Sequence, residues 1–94
     1  MKHSESMVTY DRKEAYQLAA VLKCIKGIET AYVYNSGGEF RITFEAVKGG
    51  DLYYILWEVS ECILELNFDG VNIYGGILFE VFEIAKKRYK LVEK

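Results

Sequence analysis

Ile28-Glu29-Thr30-Ala31-Tyr32-Val33-Tyr34-Asn35, then Ser36-Gly37-Gly38, then Glu39-Phe40-Arg41-Ile42-Thr43-Phe44-Glu45-Ala46-Val47 is the stretch that decides the fold. Two runs rich in β-branched and aromatic residues flank the turn-forming Asn35-Ser36-Gly37-Gly38, the pattern of a β-hairpin. Closing the hairpin with Tyr34 opposite Glu39 pairs Val33 with Phe40, Tyr32 with Arg41, Ala31 with Ile42 and Glu29 with Phe44. Because strand side chains alternate between faces, that register gathers most of the aliphatic and Phe residues on one side. The other side then carries Thr30, Tyr32, Tyr34, Arg41, Thr43 and Glu45.

Upstream, Met7-Val8-Thr9-Tyr10 reads as a short strand, and Asp11 with Glu14 has capping-box spacing for a following helix. Ala15, Leu18, Ala19, Leu22 and Ile25 recur at helical spacing, which predicts a helix over about 12–26 stopped by Gly27. Downstream, Gly49-Gly50-Asp51 breaks the strand and caps a second helix whose buried stripe is Leu52, Ile55, Leu56, Val59, Ile63 and Leu66. Val71 to Tyr74 alternates as a strand, Gly75-Gly76 ends it, and a third helix is expected from about Ile77 to Val92. In order this is the ferredoxin-like, split βαββαβ arrangement of the α+β class with an added C-terminal helix. If the short first strand does not form, a three-stranded antiparallel sheet with three helices is the fallback.

The 94 residues are enough for one hydrophobic core, so 1–94 is read as a single domain with 1–6 as a disordered tail. Apolar runs such as Val71 to Phe79 fall far short of the ~20 residues of a spanning helix, and no signal-peptide core follows the N-terminus. No membrane association and a cytoplasmic location are the expectation. Cys24 and Cys62 sit within apolar helical patterns and are expected to be buried packing residues rather than a disulfide or metal ligands.

Motifs for chemistry are scarce. His3 is the only histidine and falls in the expected tail, which leaves no triad. Gly70-Val71-Asn72-Ile73-Tyr74-Gly75-Gly76-Ile77 imitates the start of a phosphate-binding loop but has Gly76 and Ile77 where Lys and Ser or Thr are required. Glu58, Glu61 and Glu65, with Asp69 nearby, share one helical face. They are read as a solvated side, or as an acidic surface for a basic groove on a partner. No cofactor, no metal and no catalytic residue are expected.

Charge is segregated. Asp51 to Glu83 contains seven acids and neither Lys nor Arg, whereas Lys86, Lys87, Arg88, Lys90 and Lys94 crowd the last nine residues around one acid. The bases match the negative end of the last helix's dipole, and Lys86, Lys87, Arg88 and Lys90 also form a possible anion or nucleic-acid patch. That helix carries two apolar stripes, Leu78, Val81, Phe82, Ala85, Tyr89 and Val92, then Ile77, Ile84 and Leu91. One is expected to pack on the domain and the other on a neighbour.

A net charge of −2 disfavours duplex DNA. Aromatic residues are 15% of the chain, a surplus for so small a core, and tyrosine beside arginine is a composition of protein-binding hot spots. The expected function is a non-catalytic protein-interaction module that self-associates, an inhibitor or adaptor of a larger machine. Its contact residues are Tyr32, Tyr34, Arg41, Tyr74, Glu58, Glu61 and Glu65. The alternative is single-stranded nucleic-acid binding through the same tyrosines and the basic helix end. A small-molecule sensor ranks behind both.

Overall fold

The computed structural model describes residues 3–47, 49–67 and 70–92, with backbone alone for 91 and 92. The expectations for Met1, Lys2, Asp69 and the side chains of Leu91 and Val92 therefore lie outside the described residues. The elements are β1 (His3–Thr9), α1 (Arg12–Leu22), β2 (Ile28–Ser36), β3 (Glu39–Ala46), α2 (Leu52–Leu66), β4 (Asn72–Ile73) and α3 (Gly76–Val92). The sheet runs β2-β3-β1-β4 with every neighbouring pair antiparallel, and three helices complete an α+β architecture.

β1 is longer and starts earlier than its sequence suggests. His3 to Ser6, expected as a tail, pair with Ala46, Glu45, Phe44 and Thr43 of β3. Ser, His and Glu have weak strand preference, but pairing along the length of β3 satisfies their backbone groups, and tertiary context outweighs propensity. The fallback three-stranded sheet is thereby excluded. Tyr10 falls just beyond the strand, and β4 keeps two residues of the expected four.

The hairpin turns on Gly37 and Gly38, both with positive φ, rather than on a four-residue loop. Positive φ at both central positions is the two-residue turn whose twist matches the strands, and glycine reaches it without a Cβ clash. The register moves by two residues from the expected one. Ser36 faces Glu39, Tyr34 faces Arg41, Tyr32 faces Thr43 and Ala31 faces Phe44. A shift of two preserves which face each side chain occupies, so the division into inner and outer residues stands while the pairs change. Tyr34, not Tyr32, lies opposite Arg41. The register slips between Ile28 and Thr30, which seats Ile28 opposite Ala46 on the inner side and leaves Glu29 exposed instead of pairing with Phe44.

α1 ends at Leu22, four residues early. Cys24 N–H donates to Val21 and Ile25 N–H to Leu22, three-residue steps that tighten the chain into a turn before Gly27. Cys24 consequently rotates out of the apolar stripe and is exposed, and Cys62 is only half-buried, so neither is the buried packing residue expected. At the other end of α1, Asp11 Oδ1 accepts from Glu14 N–H at 3.1 Å as the cap. The reciprocal arm is absent: Asp11 N–H donates instead to Thr9 Oγ1 at 3.1 Å, and Thr9 in turn donates to Glu14 Oε1 at 3.4 Å.

One apolar cluster joins Met7, Ala31, Phe40, Ile42 and Phe44 of the sheet to Leu18 and Leu22 of α1, Leu56 and Val59 of α2, and Leu78 and Val81 of α3. All three helices thus close over the same side of the sheet. Phe44, with no exposed surface, contributes about 2–3 kcal/mol of burial by itself. α3 packs against α2 of its own chain, and Ala85 continues its buried stripe. Ile84 on its other side is exposed, with Ile77 partly buried against the core.

The glycines at the start of α3, Gly75 and Gly76, have no side chain with which to cap it. Glu5 of β1 supplies one from 73 residues away: its Oε2 accepts from Leu78 N–H at 3.3 Å. The carboxylate faces the helix layer, its side chain is 7% exposed, and His3 Nε2 lies 2.5 Å from the same oxygen. A negative group at a helix N-terminus satisfies an orphan donor and opposes the positive end of the dipole.

Candidate functional site

With the helices on one side, no element among the described residues covers the other side of the sheet. The alternation places Thr30, Tyr32, Tyr34 and Ser36 of β2, Glu39, Arg41, Thr43 and Glu45 of β3, Ser4, Ser6 and Val8 of β1 and Asn72 of β4 there. The middle of this face is laced by hydroxyls and carboxylates. Ser6 Oγ and Thr43 Oγ1 lie 2.9 Å apart, and Thr30 Oγ1 donates to Glu45 Oε1 at 2.9 Å. Val8, with Arg41 and Asn72 as its register neighbours, is fully buried although it points away from the helices. A long arginine stem beside it is the kind of cover that buries such a residue.

The tyrosines lie at the margin of this face. Tyr32 is 52% and Tyr34 62% exposed, both on β2, the outermost strand. Tyr10 and Tyr74, each 67% exposed, follow the ends of β1 and β4, which run side by side on the far half of the sheet. Arg41 is not drawn over a tyrosine ring: its guanidinium lies 3.8 Å from Glu39 Oε1, an exposed pair worth little. The expected Tyr–Arg platform therefore resolves into a tyrosine-bearing edge next to a polar centre. Aromatic surplus alone does not single it out, since Tyr16, Tyr53 and Tyr54 on the helices are equally exposed.

The acidic residues of α2 divide between two neighbours. Glu58 accepts a hydrogen bond from the Tyr54 phenol, and that bond, followed by the Glu58 charge, pushes the phenol's pKa up. Glu58 also shares with Cys24, Ile25, Tyr54 and Cys62 a groove between the end of α1 and α2. There burial, then Glu65, Glu58 and Glu61, push the Cys62 thiol up. Glu61 and Glu65 instead line the α2–α3 groove with Trp57, Arg88 and Tyr89.

The basic residues of α3 are partly engaged. Lys86 Nζ is 3.1 Å from Glu83 and sits 5.6 Å over the Phe82 ring, while the Arg88 guanidinium lies 5.4 Å over Trp57. Lys87 and Lys90 are exposed. These bases belong to the helix layer and Tyr32 and Tyr34 to the opposite face of the sheet, so the two halves of a nucleic-acid surface do not meet. Among the described residues no group of His, Cys, Asp and Glu is arranged to hold a metal ion, and no helix is long and apolar enough to cross a membrane. Sequence reasoning missed Glu5, because its partner is distant and no local pattern marks it. It also missed the edge position of the tyrosine strand, which follows from sheet order alone.

No protein family, curated protein or solved structure matches this chain.

Proposed function

We propose that the chain is a non-catalytic protein-interaction module of ferredoxin-like build with an added C-terminal helix, which associates with a second copy of itself. In that role it serves as a small inhibitor or adaptor of a larger protein assembly. The observation that carries this reading is the exposed pair Tyr32 and Tyr34 on the outermost strand of a sheet face that no element among the described residues covers. Large amphipathic rings at such a margin gain by burial while their hydroxyls stay hydrated at the rim. Arg41 on β3 adjoins this pair, Tyr74 stands at the opposite edge of the sheet as a second contact point, and Glu58, Glu61 and Glu65 offer a separate acidic surface to a basic partner. The ferredoxin-like assignment draws on the strand order, which read from the other edge is β4-β1-β3-β2 with antiparallel neighbours throughout. Two free thiols favour a reducing, cytoplasmic setting.

Light-scattering mass across a size-exclusion peak tests association, with the 260 to 280 nm absorbance ratio recorded on the same peak. A double variant, Tyr32→Ser with Tyr34→Ser, is expected to weaken association and leave the urea midpoint within the range of surface substitutions, about 0.5 kcal/mol per site. Lost stability with unchanged association would make the tyrosines structural. A raised absorbance ratio would move the reading to nucleic acid.

A further inference from the structure

The two edges of the sheet are unlike. β4 presents two residues, whereas β2 presents nine. Open edges are ordinarily blunted by lysine, proline, short length or a covering segment. β2 has neither Lys nor Pro, and its one charge, Glu29, sits at the bulge. Among the described residues, no backbone group from outside the sheet bonds to Thr30–Ser36.

The turn fixes which backbone groups face outward. In a two-residue hairpin the closing pair, Ser36 and Glu39, exchanges both hydrogen bonds, and bonded pairs then alternate with unbonded ones. Tyr34, Tyr32 and Thr30 consequently bond to β3, while the N–H and C=O groups of Asn35, Val33 and Ala31 point away from the sheet.

Resting on the self-association proposed above, we infer that two copies join by antiparallel β2–β2 pairing about a two-fold axis at Val33, giving a continuous eight-stranded sheet. The sequence about that axis is self-complementary. Thr30 meets Ser36 of the second copy, Ala31 meets Asn35, Tyr32 meets Tyr34, and Val33 meets itself. Val33, half-buried at the margin of the inner side, is covered by its counterpart. The outward residues exchange about six backbone hydrogen bonds. Tyr32 and Tyr34 of both copies form a four-ring cluster on the outer face, in the closely spaced unbonded pairs where cross-strand aromatics interact best. No charge lies within the paired stretch, and Glu29 falls opposite Gly37, so the contact sets no like charges against each other. A contact that uses the same patch on both copies closes after two.

Amide hydrogen exchange by NMR, run with light scattering on the full chain, tests the register directly. The expected mass is twice 10.8 kDa. Ala31, Val33 and Asn35 amides are expected to exchange about 100-fold slower in the dimer than in a Tyr32→Lys/Tyr34→Lys variant, whose clustered lysines return it to a single chain. Tyr32 and Tyr34 positions stay slow in both, since they bond to β3. Should that variant fold poorly, diluting the unaltered protein through its dissociation range must release the same three amides and no others along β2. A dimer whose Val33 amide exchanges freely would overturn this pairing and leave the interaction-module reading standing. A single-chain mass at about 0.5 mM with free edge amides would overturn self-association as well, leaving the edge to a strand from another protein. Slow edge amides in a single chain would mean the edge is covered internally, and would also overturn the pairing.

Discussion

Removing the Glu5 carboxylate should loosen the start of α3 although the residue belongs to β1. Glu5→Ala deletes the acceptor of the Leu78 N–H bond and leaves that donor inside a contact whose carboxylate side chain is 7% exposed. Loss of a capping acceptor costs about 0.5–2 kcal/mol, and a charge at a partly buried helix end adds up to about 2 kcal/mol. The two overlap, so about 2–3 kcal/mol is the expected cost. In a chain of this size that lowers the melting temperature by roughly 10–20 °C. Glu5→Gln keeps an acceptor and loses the charge, and should cost about half as much. Urea unfolding followed by circular dichroism reads both variants, with the midpoint moving at constant slope if only stability changes. Should Glu5→Ala fall within about 0.5 kcal/mol of the parent, the carboxylate would not be capping α3.

Two further outcomes follow from single positions. Gly27 has φ +100° and its carbonyl accepts from Val47 N–H, and a Cβ added there would stand 2.6 Å from Ile55 Cδ1. Gly27→Ala should therefore cost about 1–3 kcal/mol in urea unfolding, and Ile55→Val in the same chain should recover only a fraction of it, since the 2.8 Å approach to the γ carbon and the backbone strain both remain. Cys24, exposed, should alkylate ahead of Cys62, whose thiol is pushed up by burial and by Glu65, Glu58 and Glu61. The folded chain holds the Cys62 proton more tightly than the unfolded one. This contribution to stability is thus constant below the ordinary thiol range and declines as pH rises through and above it. Alkylation of Cys62 as fast as that of Cys24 at one pH would contradict the burial.

Much of the hairpin was legible because a period of two is insensitive to the error made. Asn35-Ser36-Gly37-Gly38 admits both a four-residue and a two-residue loop, and the choices differ by two in register, so Ala31, Val33, Ile42 and Phe44 face inward either way. The pairs, such as Tyr34 with Arg41, depend on the glycine conformations and were not legible. α2 was read closely since Asp51 caps it locally and its apolar period is unbroken. The apolar period overstates α1 because Ile25 continues it while the backbone has already tightened into a turn, and the exposure of Cys24 follows from that turn. His3 to Ser6 carry no strand signal of their own, and Glu5 no capping signal, because both roles are assigned by residues tens of positions away. The candidate surface was legible as composition and not as placement: the tyrosines were visible, and their position at an edge required the order of the strands.

That order also sets a schedule for synthesis. β1 lies between β3 and β4, yet it leaves the ribosome before either. Its pairing with β3 can begin only when residue 40 has emerged and is complete at residue 46, and the bond from Leu78 to Glu5 must wait for residue 78. Until then Met7 and Val8, both fully buried at the end, travel unpartnered beside the amphipathic α1. Long-range closure of this kind is slow and leaves apolar strands open to other chains. Among these elements β1 therefore waits longest for its partners and is the most open to mispairing, and the β2–β3 hairpin, local and with a preformed turn, is the element able to form early and receive it.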